Sequence, residues 1–397
     1  MTKPPLWRNV EVLKAAAQVG VVLAVGITLW WLINNLLTNL DEQNIPFGLG
    51  FLDDPAGFQV RDSSFDPQSP IWKLIGVGIQ NTLISAVVGI TLAVVLGVLI
   101  GIGRLSTNWV LRKLTTLYVE VFRNIPPLVI IIFVGAALFV NNTALPAFNP
   151  SSPPRQIKLP GTDDNFMILS KSRLGFPSVA NDGNSGLFWL VMLAVLVVAI
   201  GVWRWRTKVN VDTGQPHHRV LYSLATILGL GLIAFVALGG PLRMSWPTVS
   251  ESGRLIEGGL PTNDAFVALT LALGLYTASH IAEIIRGSIL AVPIGQNEAA
   301  NALALTGFQR YRFVVLPQAL RIAMPPVINQ FLNLTKNTSL AVAVAYPDVT
   351  QVIRTAIGNG QPATQMILAL MIVYLTFSLV TSLVLNVVNR RFQLVGR

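Results

Sequence analysis

The strongest constraint on this chain is a series of long apolar runs that carry almost no charge. About 20 apolar residues cross a bilayer as a helix. Runs of about that length lie at Ala15–Leu37, Thr82–Gly103, Ile125–Val140, Leu187–Trp203, Leu221–Leu238, Phe266–Ile285, Ile322–Tyr346 and Met366–Val388. The third and fourth are short, the stretch Leu114–Phe122 can extend the third, and polar residues interrupt the seventh. Lipid offers the backbone no hydrogen-bond partners, so a run that crosses it closes its own bonds as a helix. The expected fold is an all-α integral membrane protein of eight spans. Only 12% of the residues are charged, against about 25% in soluble domains. The first run is too long for a signal-peptide core and no small-x-small site follows it, so it is read as an uncleaved span.

Eight spans put both termini on one side of the membrane. With the N-terminus inside, the inner segments hold 17 lysines and arginines and the outer segments 9, while Arg123 and Lys336 fall at or within spans. The first outer loop is acidic, with Asp41, Glu42, Asp53, Asp54, Asp62 and Asp66. Basic residues collect in cytoplasmic loops, so both termini are expected there. The same asymmetry accounts for the net charge of +10 without nucleic acid, and no aromatic-interleaved basic patch is present.

Several chemistries are excluded. There are no cysteines, and the three histidines are His217, His218 and His280, which gives no multi-histidine metal site. No G-x-x-x-x-G-K-[ST] phosphate loop occurs, so the chain does not itself bind ATP through a P-loop. No G-x-S-x-G elbow or H-E-x-x-H helix is present either, and an enzyme is not expected.

The most informative segment is Glu298-Ala299-Ala300, followed by Leu316-Pro317. Pro293 and Gly295 end the preceding helix, and the alanines favour a short new one. Small residues on one face let such a helix enter a groove closely. The segment resembles the EAA loop of ABC importer permeases, the coupling helix that seats in the nucleotide-binding subunit. That pattern has a glycine four residues after the second alanine and ends in Ile-x-Leu-Pro. Here Ala304 takes the glycine position, Gly307 follows three residues later, and Val314 takes the isoleucine position. This leaves the shape of the turn after the helix open.

Flanking stretches narrow the resemblance. Tyr276–Gly287, Val315–Arg321, Leu334–Ala341, Asn81-Thr82-Leu83 and Tyr118–Pro127 are similar to the histidine/glutamate/glutamine-type permeases, and most to their longer general L-amino-acid branch. The resemblance implies a five-span core, formed here by the second, third, sixth, seventh and eighth runs. It divides the chain into residues 1–76 (tail, first span, outer loop), 77–141 (first part of the core), 142–263 (inserted loops and two extra spans) and 264–397 (second part of the core). It also implies a cytoplasmic ATPase dimer that holds ATP and magnesium, a second permease subunit (a homologue or a copy), and a periplasmic amino-acid-binding protein. This chain would hold no cofactor and would sit in lipid in the bacterial inner membrane.

Ionisable residues at membrane depth point to a substrate pathway. Glu120 and Arg123 precede Pro126-Pro127, and Lys336 sits in the polar stretch Asn333–Ser339. An amino acid needs partners for both its charges, so Lys336 is a candidate for the carboxylate, with Asn337, Thr338 and Ser339 beside it. The competing reading places Glu120 and Arg123 at the inner interface and lets Lys336 pair internally or snorkel. His280 and Glu283, one turn apart, are read as structural or inter-subunit. Gly97 and Gly101 form a G-x-x-x-G packing pair. An ion-gradient-driven transporter and a scaffold that recruits a cytoplasmic protein are the rival functions. Neither explains the Glu298–Pro317 pattern together with the polar stretch at Lys336.

Overall fold

A computed structural model describes residues 10–42, 48–61, 63, 65–149, 151–181, 184–214, 218–253 and 255–392. Lys3, Arg8, Asp62, His217, Arg254 and Arg397, used in the charge argument or named above, lie outside the described residues. The chain divides into two compact units. One comprises Met1–Ile84, Met324–Val342 and Pro347–Arg397, the other Ser85–Ala323 and Ala343–Tyr346.

The helices follow the apolar runs. They are α1 (Val10–Glu42), α2 (Ile71–Gly103), α3 (Trp109–Asn124), α4 (Pro127–Gly135), α5 (Ser185–Thr213), α6 (Arg219–Ala237), α7 (Asp264–Leu290), α8 (Ile294–Ala302), α9 (Gly307–Arg310), α10 (Leu316–Asn337), α11 (Val349–Gly358) and α12 (Ala363–Phe392). Six are long and apolar enough to span a membrane, and α3 with α4 and its continuation to Val140 makes a seventh if that bent pair is one span. This differs from the expected eight. The remaining run corresponds to α10 and a 3-10 continuation, Thr338–Val344. Pro325 and Pro326 inside α10, together with Asn329, Asn333, Lys336 and Asn337, leave it less apolar than the others.

In the first unit, the start of α2 packs on α11 and the beginning of α12. Ile71, Leu74, Val349, Ile353, Ala356 and Met366 form its core, with Ala56 and Val60 from the loop before α2. Gly78 lets the backbones meet, since a Cβ there would lie 2.8 Å from Val349 Cα. Buried Thr82 fixes the register: its hydroxyl accepts from Val349 N at 3.1 Å and donates to Gly78 O at 2.8 Å.

The second unit is built around α7, whose Ala265, Ala268, Ala272, Gly274, Ala278 and Ala282 allow close approach. Gly97 and Gly101 of α2 meet it directly. A Cβ on Gly97 would lie 2.7 Å from Ile281 Cβ, and one on Gly101 would lie 2.8 Å from Ala282 O. The sequence pair is thus a true helix-packing seam. Between α3 and α4 the chain turns by 106°. Consecutive prolines force this: Ile125 and Pro126 are both extended (ψ 131° and 139°), because a residue before proline is driven out of the helical region. Pro127 then starts α4, where its missing N–H costs nothing.

The stretches on either side of the α5–α6 pair form strands that the apolar pattern did not announce. They are β1 (Arg155–Lys158), β2 (Asn165–Leu169), β3 (Arg173–Phe176), β4 (Ser178–Asn181), β5 (Leu242–Ser245), β6 (Thr248–Val249), β7 (Ile256–Glu257) and β8 (Leu260–Asn263). A four-stranded antiparallel sheet runs β1-β2-β3-β8, and β4 pairs β5. Residues 155–181 and 242–263 are therefore hydrogen-bonded to one another, with Leu174 opposite Thr262 and Val179 opposite Met244.

Candidate functional site

The segment Glu298–Pro317 folds as a compact helical hairpin. Helix α8 carries the motif, with Glu298 and Ala299 exposed and Ala300 only 2% exposed. Its end forms a left-handed cap. Ala304 N–H donates to Asn301 O at 2.9 Å and Leu305 N–H to Ala300 O at 3.1 Å. This pattern places the residue after the cap in the left-handed region, and that position usually holds glycine. Ala304 has φ +51°, so the residue that departs from the expected glycine occupies the conformation that glycine relieves. Gly307, the later glycine, does not substitute for it. It begins α9, where Thr306 caps the helix and Gln309 returns the bond in a capping box.

Alanine in the left-handed region is strained by about 1 kcal/mol. Ala304→Gly is therefore expected to strengthen the loop by roughly 0.5–1 kcal/mol. Slower hydrogen exchange of the Ala304 and Leu305 amides would show this; faster exchange would contradict the cap geometry.

The rest of the hairpin is fastened to α10. A single π-turn, Tyr311–Val315, leads into α10, and Val292, Val315 and Ala319 form a small core. Gln318 Nε2 donates to Gln296 Oε1 at 3.2 Å, and an Arg310 guanidinium N–H to Asn301 Oδ1 at 3.0 Å. Leu316 and Pro317 are exposed at the start of α10. Outside any candidate span, Ile294, Leu303 and Phe308 are each more than 70% exposed.

The polar stretch ends α10 in the first unit. Lys336 is exposed, Asn337 and Ser339 are half-buried and Thr338 is fully buried. Two hydroxyls bond locally, Thr338 Oγ1 to Thr335 O at 2.7 Å and Ser339 Oγ to Lys336 O at 2.8 Å. Of these four residues, Lys336 is the exposed one.

Nearby in sequence, Asp348 is fully buried. It caps α11, its Oδ1 accepting from Gln351 N at 2.8 Å, while the Tyr374 hydroxyl donates to Oδ2 at 3.3 Å. Burial pushes its carboxyl up from 3.8 to about 6, against the pull of these hydrogen bonds. Because the folded state holds the proton more tightly than the unfolded chain, the stability this group contributes is present below about 4 and lost as pH rises through 6. Asparagine caps equally well and carries no charge. Asp348→Asn should then raise stability at neutral pH by about 1–3 kcal/mol and flatten the dependence between pH 4 and 7. A thermal melt in detergent across that range tests this, and an unchanged pH slope would refute it.

In the second unit, Glu283 of α7 gathers three guanidinium groups. Arg104, just past α2, forms an ion pair and hydrogen bond with Glu283 Oε2. An Arg286 terminal nitrogen lies 2.7 Å from Oε1, and one of Arg123 lies 3.9 Å from Oε2. His280 turns to the Tyr276 carbonyl at 3.1 Å and packs on its ring at a 52° tilt. Glu120 is exposed, and its backbone carbonyl accepts from Asn124. The structure thus joins Arg123 to Glu283 and leaves Glu120 outside the cluster. Arg104 and Arg286 escaped the sequence reading because each looked like an ordinary basic residue at a span end. The signal was Glu283, a carboxylate well inside a helix whose other acidic residue, Asp264, stands at its first position. Among the described residues no group of three or more His, Asp or Glu side chains forms a metal site.

Residues 93–394 match the family described as binding-protein-dependent transport system inner membrane component. The chain is 41% identical to the general L-amino acid transport system permease protein AapQ of Rhizobium johnstonii over 95% of its own length and 91% of the relative's. It is 39% identical to the putative amino-acid ABC transporter permease protein YhdX of Escherichia coli over 95% and 93%. It is 33% identical to the glutamate/glutamine/aspartate/asparagine transport system permease protein BztB of Rhodobacter capsulatus over 96% and 93%.

Proposed function

The chain belongs to the family of binding-protein-dependent transport system inner membrane components, and on that premise we propose which cargo it moves, where its motor docks and which residues face the cargo. It is a permease subunit of an ABC importer and not itself an enzyme. The cargo is a set of amino acids, polar or broad in range; the names of its full-length relatives support this.

A cytoplasmic ATPase dimer, which carries ATP and magnesium, docks on α8 and α9. The observation that carries this reading is the α8 hairpin, with Glu298 and Ala299 exposed and Ala300 buried. Closure of the ATPases displaces α8. The stapling of α8 to α10 by Gln296 and Gln318 passes that motion along α10 to its break after Asn337. Lys336 binds the substrate carboxylate there, with Asn337 beside it. The chain lies in the inner membrane with both termini cytoplasmic. The pairing of β3 with β8 supports this topology, since it puts the segments before α5 and after α6 on one side and their basic connection on the other. Residues 77–141 and 264–397 form the permease core, and 142–263 are an insertion. A second permease subunit completes the pore, and a periplasmic binding protein delivers the substrate.

The test is uptake of radiolabelled amino acids into vesicles that hold the complex copurified through this chain. Uptake should require internal or external ATP at the ATPase face and ignore a sodium or proton gradient; gradient-driven uptake without the ATPase would establish the secondary-transporter reading. Lys336→Ala should lower uptake roughly tenfold, the size expected when a charge-assisted bond is lost, with ATPase assembly intact. Unchanged uptake would remove Lys336 from the path.

A further inference from the structure

The Arg104–Arg123–Glu283–Arg286 cluster is charged far beyond what the packing of three helices requires. Three guanidinium groups surround one carboxylate, which leaves two positive charges without a counter-charge among the described residues. The donors outnumber the acceptors even more clearly. A carboxylate offers about four lone-pair sites, and each guanidinium brings about five N–H donors. Arg104 and Arg286 already occupy both oxygens. Arg123 lies within ion-pair distance at 3.9 Å, with its side chain 43% exposed.

The position in the chain indicates what the cluster meets. Arg104 is the first residue beyond α2, a candidate span that ends at Gly103. Arg286 lies one turn from the end of α7, and Arg123 lies in the last turn of amphipathic α3. The helix surface leading up to the cluster is apolar and open: Leu99 is 63% exposed, Ile102 53% and Val121 42%. Apolar helix surface that ends in guanidinium groups still open to solvent, as Arg123 is at 43% and Arg286 at 32% exposure, is the arrangement of acyl chains below an anionic headgroup. Basic pockets between helix ends bind such headgroups, and planar guanidinium groups match phosphate oxygens in paired contacts.

We propose that this cluster binds the phosphate of an anionic phospholipid, with Arg123 and Arg286 as its ligands and Glu283 as the residue that holds Arg104 and Arg286 in place. In the orientation given above, that lipid belongs to the cytoplasmic leaflet and sits one short turn ahead of α8, so it would set how firmly α7 is held when α8 is pushed. Only the leaflet and this consequence rest on the proposed function; the binding itself does not.

Native mass spectrometry of the copurified complex, exchanged into detergent with added phosphatidylglycerol or phosphatidylcholine, tests the binding directly. The wild-type complex should retain phosphatidylglycerol in preference to phosphatidylcholine. Arg123→Gln should lower that retention about fivefold, the worth of one basic residue at an anionic surface. It leaves Arg104 and Arg286 on Glu283, so the fold is kept. Lys113→Gln, a charge removed from the same helix outside the cluster, should leave retention unchanged. Equal loss in both variants, or loss in neither, would overturn the site. Displacement of the lipid by millimolar inorganic phosphate would assign the cluster to free phosphate instead. Unchanged lipid with loss of the second permease subunit in Arg123→Gln would assign it to a protein carboxylate. Retention is read without regard to membrane orientation, so its failure is distinct from failure of the transport reading.

Discussion

Glu298→Lys is expected to abolish coupled transport while leaving the subunit in the membrane. Glu298 is exposed on α8 and makes no contact that the hairpin needs, because the hairpin is held by Ala300, the Ala304 cap, Arg310–Asn301 and Gln296–Gln318. A lysine in its place leaves that scaffold standing and reverses the charge on the face proposed to meet the ATPase. Like-charge juxtaposition in an interface costs several kcal/mol, so ATP-driven uptake should fall by about a hundredfold. Membrane insertion and thermal stability should stay within the small range of surface substitutions, about 0.5 kcal/mol. Copurification of the ATPase with the tagged permease, measured beside uptake, separates the cases. Loss of uptake with weakened ATPase retention supports docking on α8. Normal uptake would show that the motor engages elsewhere.

The comparison of α8 with the rest of the chain shows what sequence alone could reveal. Spans such as α1 and α2 were legible because lipid demands one thing of a helix, a long uncharged run, and composition reports that directly. The break between α3 and α4 is legible only as the pair Pro126-Pro127; its 106° angle comes from extended Ile125 and Pro126 between two helices, with Pro127 starting the second. Strands β1 to β8 were not legible. They are short, and β3 pairs with β8 across the whole α5–α6 insertion, a partnership no local pattern carries. The expected start of the second span, Thr82, falls inside α2, which begins at Ile71, because Lys73, Gln80 and Asn81 look like a span boundary. Asn81 instead donates to Pro347 O at 2.9 Å, a partner 266 residues away. Ala304 is the reverse case. The sequence located the irregular position, and the backbone supplied its reason in a positive φ.

Glu283 lies between these extremes, and its removal should have the largest effect on stability. Glu283→Ala leaves Arg104, whose side chain is only 12% exposed, beside Arg123 and Arg286 with nothing to offset three like charges. Breaking a buried pair from one side costs about 3–5 kcal/mol. Glu283 is 27% exposed and Arg286 32%, so solvent screening reduces this to roughly 2–3 kcal/mol. Two measurements distinguish electrostatic loss from a mere packing defect. The deficit in thermal stability should shrink as salt rises from about 0.05 to 0.5 M, where the screening length falls from about 14 to about 4 Å. A second substitution, Arg104→Ala, should recover part of the loss, giving a coupling of about 1 kcal/mol or more in a double-mutant cycle. If the two losses simply add and salt has no effect, the arginines do not act through Glu283, and α2 and α3 are tied to α7 by contacts outside the cluster, the Gly97–Gly101 seam and the Tyr118 hydroxyl on the Leu275 carbonyl.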